Sequence, residues 1–186
     1  RQMCDLALNA GLKLIGSGLQ DAPIGFAASV HLFAAYGIAG SRNVVPDRWL
    51  VEGDQVTVGG HAFDVLHTPG HTPACMTHVI GNAAFVGDTL FMPDGGSARA
   101  DFPGGDAHAL YRSIKRVLAL PGEMRLFMCH DYGPNGRNIK WQTTVAEQRE
   151  HNIHVKDGIS EEQFVAMREA RDKTLGLPAL IIPSLQ

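Results

Sequence analysis

Cysteine is scarce in this chain: three in 186 residues, Cys4, Cys75 and Cys129, with no CxxC pair among them. An odd, scattered set argues against a disulfide framework and for a reduced, cytoplasmic setting. Excess charge of either sign is also lacking. A net charge of −3 gives no reason to expect a nucleic acid or an anionic membrane as partner. Long apolar runs are missing too. The least polar stretch, residues 24–40, carries no formal charge, but glycines break it, it contains His31, and it falls short of the roughly 18 apolar residues of a membrane span. It reads as a buried, small-residue helix with its loop. No signal peptide, internal repeat or low-complexity segment is visible. Three common catalytic signatures, GxSxG, GxxxxGK[ST] and HExxH, are absent as well.

What the chain does have is glycine and proline, 21 and 10 residues, clustered between apolar runs. That pattern fits a loop-rich α/β protein, and the length fits one domain spanning 1–186. The chain opens on Arg1 in mid-pattern. "CDLALNAGLKLIG" reads as the last turns of a helix and a short strand, as in a piece of a longer protein.

Beyond residue 50 the pattern changes to short β units. "QVTV" and "HAFDVLH" flank Gly59-Gly60, and "CMTHVI" and "AAFVG" flank Gly81-Asn82. Both read as two-residue hairpins of type I′, which needs φ > 0 at both central positions. Asp106 is placed to cap a helix in which Leu110, Ile114, Val117 and Leu118 recur at helical spacing. "MRLFMC" (124–129) reads as a compact strand. Thr144 with Glu147, and Ser160 with Gln163, are capping-box pairs that start two further helices, and Pro178 and Pro183 mark an extended tail. The order implies α/β layers with mixed sheets and active loops at strand ends.

His71, Asp88 and His130 each follow an apolar strand beside a glycine or a turn. A ligand there is fixed by the strand and reachable from the loop. Two histidines and a carboxylate suit zinc, or non-haem Fe(II) with open positions for substrate and oxygen. Each residue alone reads more simply as a polar loop residue, and only the three together favour a metal. His67 lies four residues before His71, but Pro69 forbids the helix that would pair them. His61, His78, His108, His151 and His154 read as strand, helix-surface or loop residues. Cys129 reads as a buried strand residue, not a nucleophile.

At these residues a family resemblance appears. "HTPGHT" (67–72), "GDTLF" (87–91) and "CHDY" (129–132) resemble the later metal motifs of the metallo-β-lactamase superfamily. "ARADFPGGDA" (98–107) and the tail from "AEQREHNIHV" onward resemble its persulfide dioxygenase branch, including bacterial β-lactamase-like members. "DRWLVEGDQVTVGG" (47–60) resembles the glyoxalase II branch equally.

The resemblance implies a four-layer αββα sandwich with the metal at one edge of its two sheets. It implies Fe(II), with Zn(II) as the alternative, and a glutathione-like thiol or persulfide as substrate. His71 falls on the second histidine and Asp88 on the aspartate of the branch's two-histidine, one-aspartate iron site. His130 falls on the metal-ligand position that completes a second site in binuclear relatives, and Asp88 and His130 are the implied catalytic pair. Arg99 and Tyr132 fall where the branch binds substrate or orders its pocket, and Asp131 orients neighbouring groups. The family's first motif, His-x-His-x-Asp-His, is absent, and its place would be just before Cys4. Weak metal binding is therefore expected of this chain alone. Stoichiometric metal surviving dialysis against a chelator would overturn that expectation. Three functions follow: a persulfide dioxygenase, a glyoxalase II-like thioester hydrolase, or an inactive fragment that oligomerises. An orphaned sheet edge makes a homodimer the expected assembly, and a monomer by light scattering at high concentration removes that expectation.

Overall fold

The computed structural model describes residues 50–58 and 60–176. Several expectations therefore lie outside the described residues: the helix and strand near Cys4, the small-residue helix in 24–40, the tail with Pro178 and Pro183, and a second sheet. Residues Leu50–Leu175 form one compact unit.

Its sheet has six strands in sequence order: β1 (Gln55–Val58), β2 (His61–His67), β3 (Met76–Ile80), β4 (Ala83–Phe85), β5 (Arg125–Phe127) and β6 (Gln142–Thr144). The first four make an antiparallel meander. Helix α1 (Ala107–Val117) carries the chain from β4 to β5, which pair in parallel. β6 returns antiparallel to β5, and α2 (Val145–His151) and α3 (Glu161–Asp172) follow. A parallel pair needs a long crossover, which α1 supplies.

The hairpins fall where the glycines mark them, with Val58 opposite His61 and Ile80 opposite Ala83. The backbone of the second differs from type I′: Gly81 has φ +56°, but Asn82 does not have a positive φ. A positive φ at the first central position alone is the type II′ pattern, which the second hairpin follows and which also matches strand twist.

Helix α1 begins as its sequence dictates: the Asp106 carboxylate accepts from the Ala109 amide at 3.0 Å. Leu110, Ile114, Val117 and Leu118 are all buried. They pack in one cluster with Ala84, Val86 and Leu126 from the sheet side and Phe164 and Val165 of α3. The Ser160–Gln163 capping box is complete. The Thr144 hydroxyl accepts from the Glu147 amide, but the Glu147 carboxylate accepts from the Thr143 hydroxyl at 2.6 Å instead of closing a box. β6 has no signal of its own in the sequence, since a three-residue edge strand is too short to show alternation.

Strand direction places the site. β2 and β4 run the same way across the meander, and β5 runs parallel to β4. The loops that leave their C-terminal ends, carrying His71, Asp88 and His130, therefore share one edge of the sheet.

Candidate metal centre

Gly70 is the residue that lets the His71 turn form. Its φ is +135°, and a Cβ there would lie 2.2 Å from the Leu110 amide nitrogen. The turn thus lies directly against the first turn of α1. The Gly70 carbonyl accepts from the Asp106 amide at 2.9 Å, and the Pro69 carbonyl accepts from the Ser113 hydroxyl at 2.6 Å. Behind the turn, the fully buried hydroxyls of Thr68, Thr77 and Thr89 form a chain, Thr68–Thr77 at 3.2 Å and Thr89–Thr68 at 3.4 Å. They join the strands that present His71 and Asp88.

The His71 imidazole is nearly buried, with a side-chain exposure of 12%. Its Nδ1 lies 2.8 Å from the Arg99 carbonyl oxygen. A carbonyl only accepts, so Nδ1 carries the hydrogen and Nε2 keeps a free lone pair. That Nε2 points towards Asp88, 3.9 Å from Oδ2. On the other side, His130 Nε2 lies 3.2 Å from Asp88 Oδ1. The approach lacks hydrogen-bond geometry, so Asp88 Oδ1 is buried with no hydrogen-bond partner. A buried, unsatisfied carboxylate oxygen is costly unless another cationic group completes it.

This donor set, two imidazole nitrogens and a carboxylate, fits Zn(II) or Fe(II). With Nδ1 held by the Arg99 carbonyl, His71 keeps its ring fixed and leaves Nε2 able to donate its lone pair to a metal. Among the described residues, no three His, Cys, Asp or Glu side chains form a cluster able to hold an ion. Asp88 with one histidine on each oxygen is the unit the fold supplies.

Arg99 reaches the same edge. Its guanidinium donates to the Asp101 carboxylate at 2.5 and 2.6 Å and lies 5.4 Å over the Phe102 ring, which itself packs 4.6 Å from the His71 ring. Tyr132 is 72% exposed beside the pair, roughly parallel to His130 at 6.3 Å and edge-on to Phe91 at 5.6 Å. Asp131 turns away from the histidines. Its carboxylate accepts from Arg137 at 2.6 and 2.8 Å and from the Lys140 amide at 2.7 Å. The Arg137 guanidinium above all, and then the Lys140 and Gly133 amides, hold its pKa down at about 2. The neighbours it orients are those of its own loop, residues 131–140.

Two sequence expectations change. Cys129 is exposed, not buried, because the chain has left the sheet after Phe127 and Met128 takes the inward position. Partial shielding of its sulfur, and then the Asp88 charge, pushes the thiol pKa up, so exposure does not make it a nucleophile. His154 is buried at 7% exposure, not placed in a strand or on a surface. His67 stays out of the site, as expected: its Nε2 bonds the Pro73 carbonyl at 2.7 Å.

Two histidines thus flank a carboxylate at one edge of the mixed sheet of an α/β protein. The metallo-beta-lactamase superfamily model matches residues 11–130, and the chain belongs to that family. Its members are metal-dependent hydrolases and oxygenases that bind zinc or iron. The chain is 55% identical to "Probable metallo-hydrolase" of Burkholderia pseudomallei, aligned over 75% of this chain and 51% of that protein. It is 47% identical to "Glyoxylase B2" of Dictyostelium discoideum, over 75% of this chain and 48% of that one. It is 35% identical to "Persulfide dioxygenase ETHE1, mitochondrial" of Bos taurus, over 65% and 46%. The crystal structure of ETHE1 from Myxococcus xanthus superposes with a TM-score of 0.71 at 30% identity, covering 97% of this chain and 79% of that one. The chain thus spans about half the length of these curated relatives. No helix among the described residues is long and apolar enough to cross a membrane.

Proposed function

We propose that His71, Asp88 and His130 are ligands of a catalytic metal, Fe(II), in a protein that oxidises a glutathione-like persulfide. The observation that carries the metal reading is the Asp88 carboxylate, flanked by an imidazole at each oxygen and with its Oδ1 buried and unsatisfied. The likeness to ETHE1 from Myxococcus xanthus, over nearly the whole chain, supports the sulfur-oxidising reading. Bound there, Fe(II) would offer open positions for a thiolate and for dioxygen.

The chain's own residues would do the rest. The Arg99 carbonyl holds His71 in the tautomer whose Nε2 faces Asp88. The Arg99 guanidinium would exchange its hold on Asp101 for a carboxylate of the incoming thiol, by charge-assisted hydrogen bonds. Phe91 and Tyr132 present an aromatic wall on the His130 side, along which the thiol would lie.

A thioester hydrolase with Zn(II) is the second reading, favoured by the 47% identity to "Glyoxylase B2". The two separate by assay. The first expects Fe(II) to support oxygen uptake with glutathione persulfide and leave S-lactoylglutathione intact. Loss of S-lactoylglutathione without oxygen uptake would overturn it in favour of the hydrolase.

A further inference from the structure

Residues 91–100 form a strap that leaves the Asp88 loop and ends at Arg99, whose carbonyl orients His71. Five of the points that fix this strap are made by buried side chains from α2, the turn after it and α3. Gln148 Nε2 donates to the Phe91 carbonyl at 2.7 Å, and Asn152 Nδ2 donates to the Gly96 carbonyl at 3.2 Å. The Ser97 amide donates to His154 Nδ1 at 2.9 Å. Gly96 has φ +78°, and a Cβ there would lie 2.1 Å from His154 Nδ1, so the ring rests against bare backbone. The last two points lie on α3. Arg168 donates to the Ser97 carbonyl at 3.2 Å, and the Ala100 amide donates to the Asp172 carboxylate at 2.9 Å. Arg168 and Asp172 are 1% and 6% exposed and pair with each other at 2.6 Å.

Arg168 and Asp172 thus bracket residues 98 and 99 from both sides. The Arg99 carbonyl, the acceptor that sets the His71 tautomer, belongs to the same peptide unit as the Ala100 amide that Asp172 holds. A buried ion pair adds little stability over apolar residues of similar size, so stability does not account for its form here. We infer that Arg168 and Asp172 are positioning residues for His71. By holding the Ser97 carbonyl and the Ala100 amide, they fix the Arg99 carbonyl where it accepts from His71 Nδ1 and frees Nε2 towards Asp88. The inference rests on the reading of His71 as a metal ligand for its consequence, but not for its geometry.

The test uses the full chain in three forms: unmodified, Asp172→Asn, and the double variant Arg168→Met/Asp172→Leu, which leaves no charge buried. Two quantities are read. The first is the side-chain tautomer of His71 by long-range proton–nitrogen NMR in the metal-free chain, with His67, held through Nε2, as internal reference. The second is Co(II) affinity by visible titration. The unmodified chain should show His71 protonated at Nδ1. Either variant should move it towards an Nδ1–H/Nε2–H mixture and weaken Co(II) binding about tenfold, the lower end of the effect of outer-shell changes, with His67 unchanged. A folded variant with the His71 tautomer and Co(II) affinity unaltered overturns the inference. Loss of the fold in both variants also overturns it, because the pair then serves the fold at large. If Co(II) binding to the unmodified chain is insensitive to Asp88→Asn, the metal reading fails. The tautomer result still decides the positioning role.

Discussion

Two polar regions of this molecule are built from the same kinds of side chain and end in opposite states. Around His154, Asn152, Gln148, Arg168 and Asp172, buried polar groups are paired, and each shares its partners with the next. Around Asp88, in the loop from which the strap leaves, a carboxylate oxygen is buried and left unsatisfied, and the His130 imidazole beside it is partly open. The first region follows the rule for a polar core: full satisfaction, and a fixed backbone as the result. The second breaks the rule where a ligand would mend it. The two regions thus differ in one respect: the polar cluster is saturated, and the candidate site is not.

Four experiments break or sharpen that contrast. The largest effect is expected at the turn that carries His71. Gly70→Ala puts a methyl 2.2 Å from the Leu110 amide at a φ of +135° and should cost at least about 4 kcal/mol by urea unfolding. A near-normal midpoint would mean the turn can move away from α1. Next, Asp172→Ala leaves Arg168 charged, buried and unpaired, and should cost about 3–5 kcal/mol. A cost under about 1 kcal/mol would show that the pair is not desolvated in solution.

The third concerns pH. Burial, and then Arg168 and Arg171, pushes His154 down to about 4 from its usual 6.5. The unfolded chain then binds a proton that the folded chain refuses. Stability should fall as pH drops from about 6.5 to about 4, by up to about 3 kcal/mol, and level off below. His154→Gln should flatten that slope, and an unchanged slope would assign it to another group. The smallest change in stability is expected at the site itself. Asp88→Asn removes an unsatisfied charge and should stay within about 1 kcal/mol of the unmodified chain, while weakening Co(II) binding at least tenfold. A loss of stability as large as that of Asp172→Ala would make Asp88 part of the support and end the contrast.

Much of the site was legible before the fold was known. His71, Asp88 and His130 stand out because each follows an apolar strand at a turn, and the sheet then brings their loops to one edge. Arg99 was legible only through family resemblance, and its backbone carbonyl, which orients His71, carries no residue-type signal at all. Gly70 could have been singled out: a glycine inside Pro-Gly-His, just before a candidate ligand, marks a backbone with no room for a side chain. Arg168 could not, since an arginine and an aspartate at i and i+4 on a helix ordinarily mean an exposed pair.

The sequence by itself determined what depends on neighbours in the chain. The hairpins at Gly59-Gly60 and Gly81-Asn82, the caps at Asp106, Thr144 and Ser160, and the buried stripe of α1 all follow from side-chain and backbone preferences within a few residues. Only the tertiary structure decided which polar groups are left unpaired. Arg168 reaches Ser97 across 71 positions, and Asp172 reaches Ala100 across 72. The partners of Asp88 come from two other strand ends. Whether a buried oxygen finds a hydrogen is settled by packing between distant segments, and for Asp88 that packing leaves Oδ1 unpaired.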